Sequence, residues 1–106
     1  MSKIYTVTEL RDTSSPIFAE HGVRSAVLFG SYSKGQATER SDVDLLVGSG
    51  LRGLAFFGLL EGVVSALDVP VDMIDVSQVE QSSPVELEIK RSGVRIYHLN
   101  QEGRNA

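Results

Sequence analysis

At 106 residues with 42% apolar content, the chain is the size of one hydrophobic core, and none of its apolar runs is long and unbroken enough to argue a membrane span. It contains no cysteine, which excludes disulfides and thiolate metal sites. The formal net charge of −4, with bases scattered from Arg11 to Arg95, argues against nucleic acid as the main partner, because such domains carry a basic stripe.

The opening MSKIYTVTEL lacks the basic-then-apolar form of a secretion signal, so a cytoplasmic protein is expected. Thr8 or Thr6 can cap a first helix, with Glu9 near its positive end. Pro16 sits badly inside a helix, so the pattern predicts a kinked or two-piece helix from about Thr8 to Glu20, restarted at Ser14 or Ser15. His21-Gly22 ends it, the histidine favouring the helix C-terminus.

Val23 to Phe29 reads as the first strand and Asp42 to Val47 as the second. Between them, Ser31 to Lys34 suggests a short helical turn before the loop Gly35 to Arg40. Tyr32 reads as a half-exposed aromatic beside that loop, with stacking on a base as the alternative. Leu51 to Leu67 is the main helix, with Leu54, Phe57, Leu60, Val64 and Leu67 as the expected core stripe. Phe56, Leu59 and Val63 continue round the cylinder, so part of this helix is a candidate docking face for a partner or a second copy. Val69 to Val76 is the third strand, which Pro70 limits to a strand start or an edge. Ser77 to Ser83 is a polar connector, Pro84 to Lys90 or Arg91 a last helix capped by Ser82 or Ser83 and ended by Gly93, and Val94 to Tyr97 a final strand. The expected architecture is α/β (α+β): a small mixed sheet of about four strands flanked by helices. It forms one domain over residues 1–106, with its core at about 7–98 and a frayed tail at 99–106.

The chemistry concentrates between Leu28 and Gly50. Asp42 and Asp44 lie one residue apart at the mouth of a strand, so their side chains share a face. Two close carboxylates repel and lose hydration unless a cation compensates; Mg²⁺ is bound through one or two carboxylates together with substrate phosphates. Gly30-Ser31, directly after the first strand, supplies a place where phosphate can approach the backbone and be held by N–H groups and a hydroxyl. Asp72 and Asp75 differ by an odd number, so only one of them can join the Asp42/Asp44 pair.

GSYSKG followed by SDVDLLV resembles the GS-x-x-[RK]-G … SD-x-D-[LI] signature of the nucleotidyltransferase superfamily that includes the DNA polymerase β palm. Roughly Val7 to His98 resembles its minimal nucleotidyltransferase domain. The resemblance implies two Mg²⁺ ions, with Mn²⁺ as a substitute, and ATP as substrate. Asp42 and Asp44 would ligate the metals. Asp72, in a V-D-[LM]-[IV] context, would complete the ion that activates the acceptor hydroxyl, leaving Asp75 a turn or capping residue. Gly30 and Ser31 would hold the β/γ-phosphates, Lys34 would offset phosphate charge as a point cation, and Arg40 is a weaker candidate for the same task. Two ions about 3.5–4 Å apart suit in-line displacement at phosphate, because they neutralise both attacking and leaving oxygens.

Domains that resemble this one are often paired with a small all-helical HEPN-domain protein. In such toxin–antitoxin pairs the nucleotidyltransferase is the antitoxin and adds AMP from ATP to its partner. The resemblance therefore implies protein adenylylation, with no further grip for a nucleic-acid template expected within this length. A rival reading is a binding module that holds nucleotide, or neutralises a helical partner, by contact alone. Three crowded carboxylates argue against it, since a module without turnover has no physical need of them.

Overall fold

Apolar residues in four short segments, with longer helical periods between them, build a mixed sheet with helices on both sides. The computed structural model describes residues 4–99; of the predicted tail at 99–106, Leu99 is described, its N–H donating to the Arg24 carbonyl at 2.8 Å, and 100–106 lie outside the described residues. The order is α1 (Val7–Glu20), β1 (Ser25–Phe29), β2 (Val43–Gly48), α2 (Gly53–Leu67), β3 (Val71–Asp75), a 3₁₀ turn (Val76–Gln78), α3 (Pro84–Ser92) and β4 (Val94–His98). The strands lie in the order β3-β2-β1-β4. β1 runs antiparallel to β2 and β4, and β2 runs parallel to β3 through the α2 crossover. Pro70 thus precedes an edge strand, where its missing N–H costs no ladder bond.

Ala26, Leu28, Val43, Leu45 and Val47 point to one face and are fully buried under α1 and α2. The opposite face carries Val27, Asp44 and Leu46 and is covered in part by the nine-residue α3 and the 3₁₀ turn. That asymmetry places the acids: one face is sealed, and the other is open around a short helix.

Of the kinked and two-piece alternatives for helix α1, the structure rules out the second. α1 is a single helix of 14 residues with Pro16 inside it. Thr6 is the cap, accepting from the Glu9 N–H at 3.0 Å while its own N–H donates to the Glu9 carboxylate at 2.9 Å. Leu10, Ser14 and Phe18 form an i, i+4 stripe that is buried along its whole length. Burying Leu10 and Phe18 contributes about 1.5–3 kcal/mol each, enough to offset the roughly 3 kcal/mol of an interior proline. The Ser15 hydroxyl donates to the Arg11 carbonyl at 2.6 Å in the turn before the proline. His21 closes the helix as expected, its ring Nδ1 2.9 Å from the Ile17 carbonyl.

Helix α2 corrects the predicted stripe. Leu59, Val63 and Leu67 are the buried residues, with Phe56 and Leu60 half-buried beside them, whereas Leu54 is 88% and Phe57 54% exposed. Val64 is half-buried. Both stripes have helical spacing, and the helix is rotated to present the one that meets α1 and β3. Periodicity identifies candidate faces on so apolar a helix, but the neighbours select among them.

Candidate active site

Strand register assembles the site. Phe29 on β1 pairs with Asp44 on β2, and Asp44 pairs with Asp72 on β3, so the three stand in one row across adjacent strands. Residues in register share a face, so Asp44 and Asp72 both look toward the α3 side. Asp42 precedes β2 by one residue, and the Val43 N–H donates to the Pro70 carbonyl at 3.0 Å, tying the entries of the two acid-bearing strands together.

The chain leaves β1 at Gly30, whose φ of +74° is disfavoured for residues with a side chain. A Cβ there would lie 2.2 Å from Asp44 Oδ2, so the absence of a side chain is what lets the turn lie against the carboxylate. The Ser33 hydroxyl donates to the Gly30 carbonyl at 2.9 Å, the Lys34 N–H reaches the Gly30 and Ser31 carbonyls at 3.3 and 3.2 Å, and the Gln36 N–H donates to the Ser31 carbonyl at 2.9 Å. These are successive hydrogen-bonded turns rather than a helix. Tyr32 is neither half-exposed nor available for stacking: it is 4% exposed and belongs to the core, anchoring the turn from beneath.

The acids are crowded. Burial, then the charges of Asp72, Asp42 and Glu88, pushes the Asp44 carboxyl up to about 6. Such a cluster fits a divalent cation, which would offset the repulsion. Asp42, Asp44 and Asp72 are the residues that would hold it, and it would supply charge neutralisation at a bound phosphate. Among the described residues, no three His, Asp or Glu side chains are gathered closely enough to form a complete metal cage.

The basic candidates divide. Lys34 stands on the turn with its Nζ 3.3 Å from Glu88 Oε2 on α3, so it is directed at that helix. Arg40 is exposed on the loop, its N–H bonded to the Thr38 hydroxyl at 3.2 Å, and neither it nor Lys34 is among the charges acting on Asp44. Glu88 is the residue that sequence reasoning missed. Nothing in ELEIK distinguishes it from Glu86 until the face that α3 turns to the sheet is known.

Asp75 points to the opposite, buried face, as strand parity requires. Its Oδ1 accepts from the Ser49 hydroxyl at 2.6 Å and the Ser49 N–H at 3.0 Å. Its Oδ2 accepts from the Ser77 hydroxyl at 2.7 Å and the Ser77 N–H at 3.0 Å. Burial alone would raise this carboxyl, but the bonds from Ser49 and Ser77 outweigh it and hold Asp75 at about 2. It caps the 3₁₀ turn and pins the loop after β2.

A glycine turn after one strand, with acids in register on the next two strands of a mixed sheet, defines a nucleotidyltransferase-type domain. The family model described as Polymerase beta, Nucleotidyltransferase matches residues 13–102, and the chain belongs to that family. A Methanocaldococcus jannaschii protein, provisionally named a protein adenylyltransferase, is 42% identical over 41 residues. That match covers 39% of this chain and 44% of the relative, so the chain spans less than half the length of the curated relative it matches.

Among solved structures, one provisionally described as a minimal nucleotidyltransferase is 26% identical with a TM-score of 0.70, covering 88% of this chain and 98% of that one. A toxin–antitoxin complex with AMP-PNP has a TM-score of 0.71 at 23% identity, over 89% of this chain and 77% of that one. The Shewanella oneidensis complex of a tri-AMPylated HEPN toxin with its MNT antitoxin has a TM-score of 0.67 at 20% identity, over 93% and 78%. At these last two identities the likeness is one of fold.

Proposed function

We propose that this chain is a Mg²⁺-dependent nucleotidyltransferase that transfers AMP from ATP to a hydroxyl on a partner protein, as the antitoxin of a HEPN-type pair. The observation that carries the reading is the row Phe29–Asp44–Asp72, with the Gly30 turn lying directly against Asp44. Asp44 and Asp72 share the open face of the sheet and the turn abuts the first of them, which supports a reading in which metal and phosphate are held there. In this reading Asp42 and Asp44 hold the nucleotide-bound ion, and Asp72 serves the ion next to the acceptor hydroxyl. Gly30, Ser31 and Lys34 receive the β/γ-phosphates, and Arg40 lends charge from the rim. The solved relatives support a helical partner, since two of those described are toxin–antitoxin complexes and one of these holds a tri-AMPylated toxin.

The outer face of α2, with Leu54 and Phe57 exposed, is the candidate docking surface for that partner or for a second copy. A cytoplasmic protein suits this role, and no helix among the described residues is long and apolar enough to cross a membrane.

The test is co-expression with a HEPN-type helical protein, sought first in the adjacent gene, followed by incubation with [α-³²P]ATP and Mg²⁺ or Mn²⁺. Label should move to the partner with the wild type and not with Asp42→Ala or Asp44→Ala. Absence of both label and complex overturns the proposal. Complex formation without label, unaffected by Asp72→Asn, would favour the contact-only binding module instead.

A further inference from the structure

The Lys34–Glu88 ion pair spans the mouth of the acid face. Lys34 ends the turn that begins at Gly30, and its backbone N–H is fixed to the Gly30 and Ser31 carbonyls. Its ammonium reaches across to Glu88 on α3, at 3.3 Å, with the two side chains 41% and 37% exposed. Glu88 is also one of the three carboxylates acting on Asp44, so a single side chain is coupled both to the turn's cation and to the strand acids. A cavity of about 310 Å³ beside the pair is lined by Lys34, Leu87, Glu88 and Arg91. Arg91 lies one helical turn from Glu88 on the same side of α3.

We propose that Glu88 is a positioning residue for nucleotide entry: it holds Lys34 against α3 in the free protein and surrenders it to an incoming triphosphate. This rests on the nucleotide-binding reading of the site. A lysine is a point cation on a flexible four-carbon stem, so it can change partners without moving the backbone. A triphosphate concentrates more negative charge than one carboxylate and takes the ammonium over. Glu88 then has Arg91 on its own helix as a replacement partner, which leaves no charge stranded by the exchange. Affinity for nucleotide is therefore set partly by a residue that touches neither metal nor phosphate.

The test measures MgATP binding by calorimetry for the full chain as wild type, Glu88→Gln, Glu88→Asp, Lys34→Met and the Glu88→Gln/Lys34→Met double variant, with circular dichroism confirming each fold. Lys34→Met should weaken binding about tenfold, the scale of one charged hydrogen bond. Glu88→Gln should tighten it two- to fivefold, the range set by a half-exposed pair, and Glu88→Asp should return it to within twofold of wild type. In the Lys34→Met background Glu88→Gln should have no effect beyond 1.5-fold. An unchanged or weakened affinity in Glu88→Gln, or the same tightening with and without Lys34, overturns the role of Glu88 and leaves the nucleotide site standing. A wild type that binds no MgATP removes the nucleotide site itself and this proposal with it.

Discussion

Gly30 and Gly35 offer a matched pair of perturbations. Both have left-handed backbone, at φ +74° and +72°, so an alanine at either position incurs the same conformational penalty, about 1–2 kcal/mol. They differ in what the new methyl group meets. At Gly35 nothing lies within 4 Å, whereas at Gly30 the methyl would fall 2.2 Å from Asp44 Oδ2, 3.2 Å from its Cγ and 3.5 Å from its Cβ. The closest atom is the end of a rotatable side chain, so the clash can be relieved by turning the Asp44 carboxylate away. The added cost to folding is then small, but the cost to the site is large. Gly30→Ala and Gly35→Ala should therefore lose similar stability in urea, each about 1–2 kcal/mol. Only Gly30→Ala should lose MgATP affinity, by tenfold or more in calorimetry, the scale of one charged contact. Equal MgATP affinity in the two variants would refute the claim that the bare Gly30 backbone makes room for Asp44.

Asp44 should make the fold less stable as it ionises. Its folded value of about 6 lies above the ordinary 3.8, so the penalty is absent below pH 3.8, grows between 3.8 and 6, and is complete above. The full shift would correspond to roughly 3 kcal/mol; water reaches this half-buried group, which reduces the expected value to about 1 kcal/mol. Asp44→Asn should accordingly gain that amount at pH 8 and match the wild type at pH 3.5, read from urea midpoints. A destabilised Asp44→Asn at pH 8 would contradict the crowding.

Asp75 carries the opposite sign. Its value of about 2 means it stabilises the fold above pH 3.8 and loses that contribution as pH falls toward 2. Asp75→Ala strands the donors of Ser49 and Ser77 and should cost about 3 kcal/mol at pH 7 in chemical denaturation. Pro16→Ala should restore the missing helix bond to the Asp12 carbonyl and raise stability by about 2 kcal/mol, visible as a higher melting temperature; an unchanged or lower one would contradict a cost at Pro16.

The sequence by itself determined the local chemistry. Alternation put Asp42 and Asp44 on one face and separated Asp72 from Asp75, because strand parity is a covalent fact of the pleated chain. Ser83 and Pro84 marked the start of α3, Gly93 its end, and Gly30 the turn, for equally local reasons of capping and backbone freedom. The stripe of α2 that reaches the core, the burial of Tyr32 and the unbroken run of α1 through Pro16 were decided only by the tertiary structure. Each depends on what packs against it: α1 and β3 choose Leu59 and Val63 over Leu54 and Phe57, and burial of Leu10 and Phe18 outweighs a proline. Register did the same for the site. Asp44 meets Asp72 because two parallel strands align through a crossover helix, and Glu88 joins them because α3 lies on the open face. Those are distances between segments far apart in the chain, which no local pattern encodes.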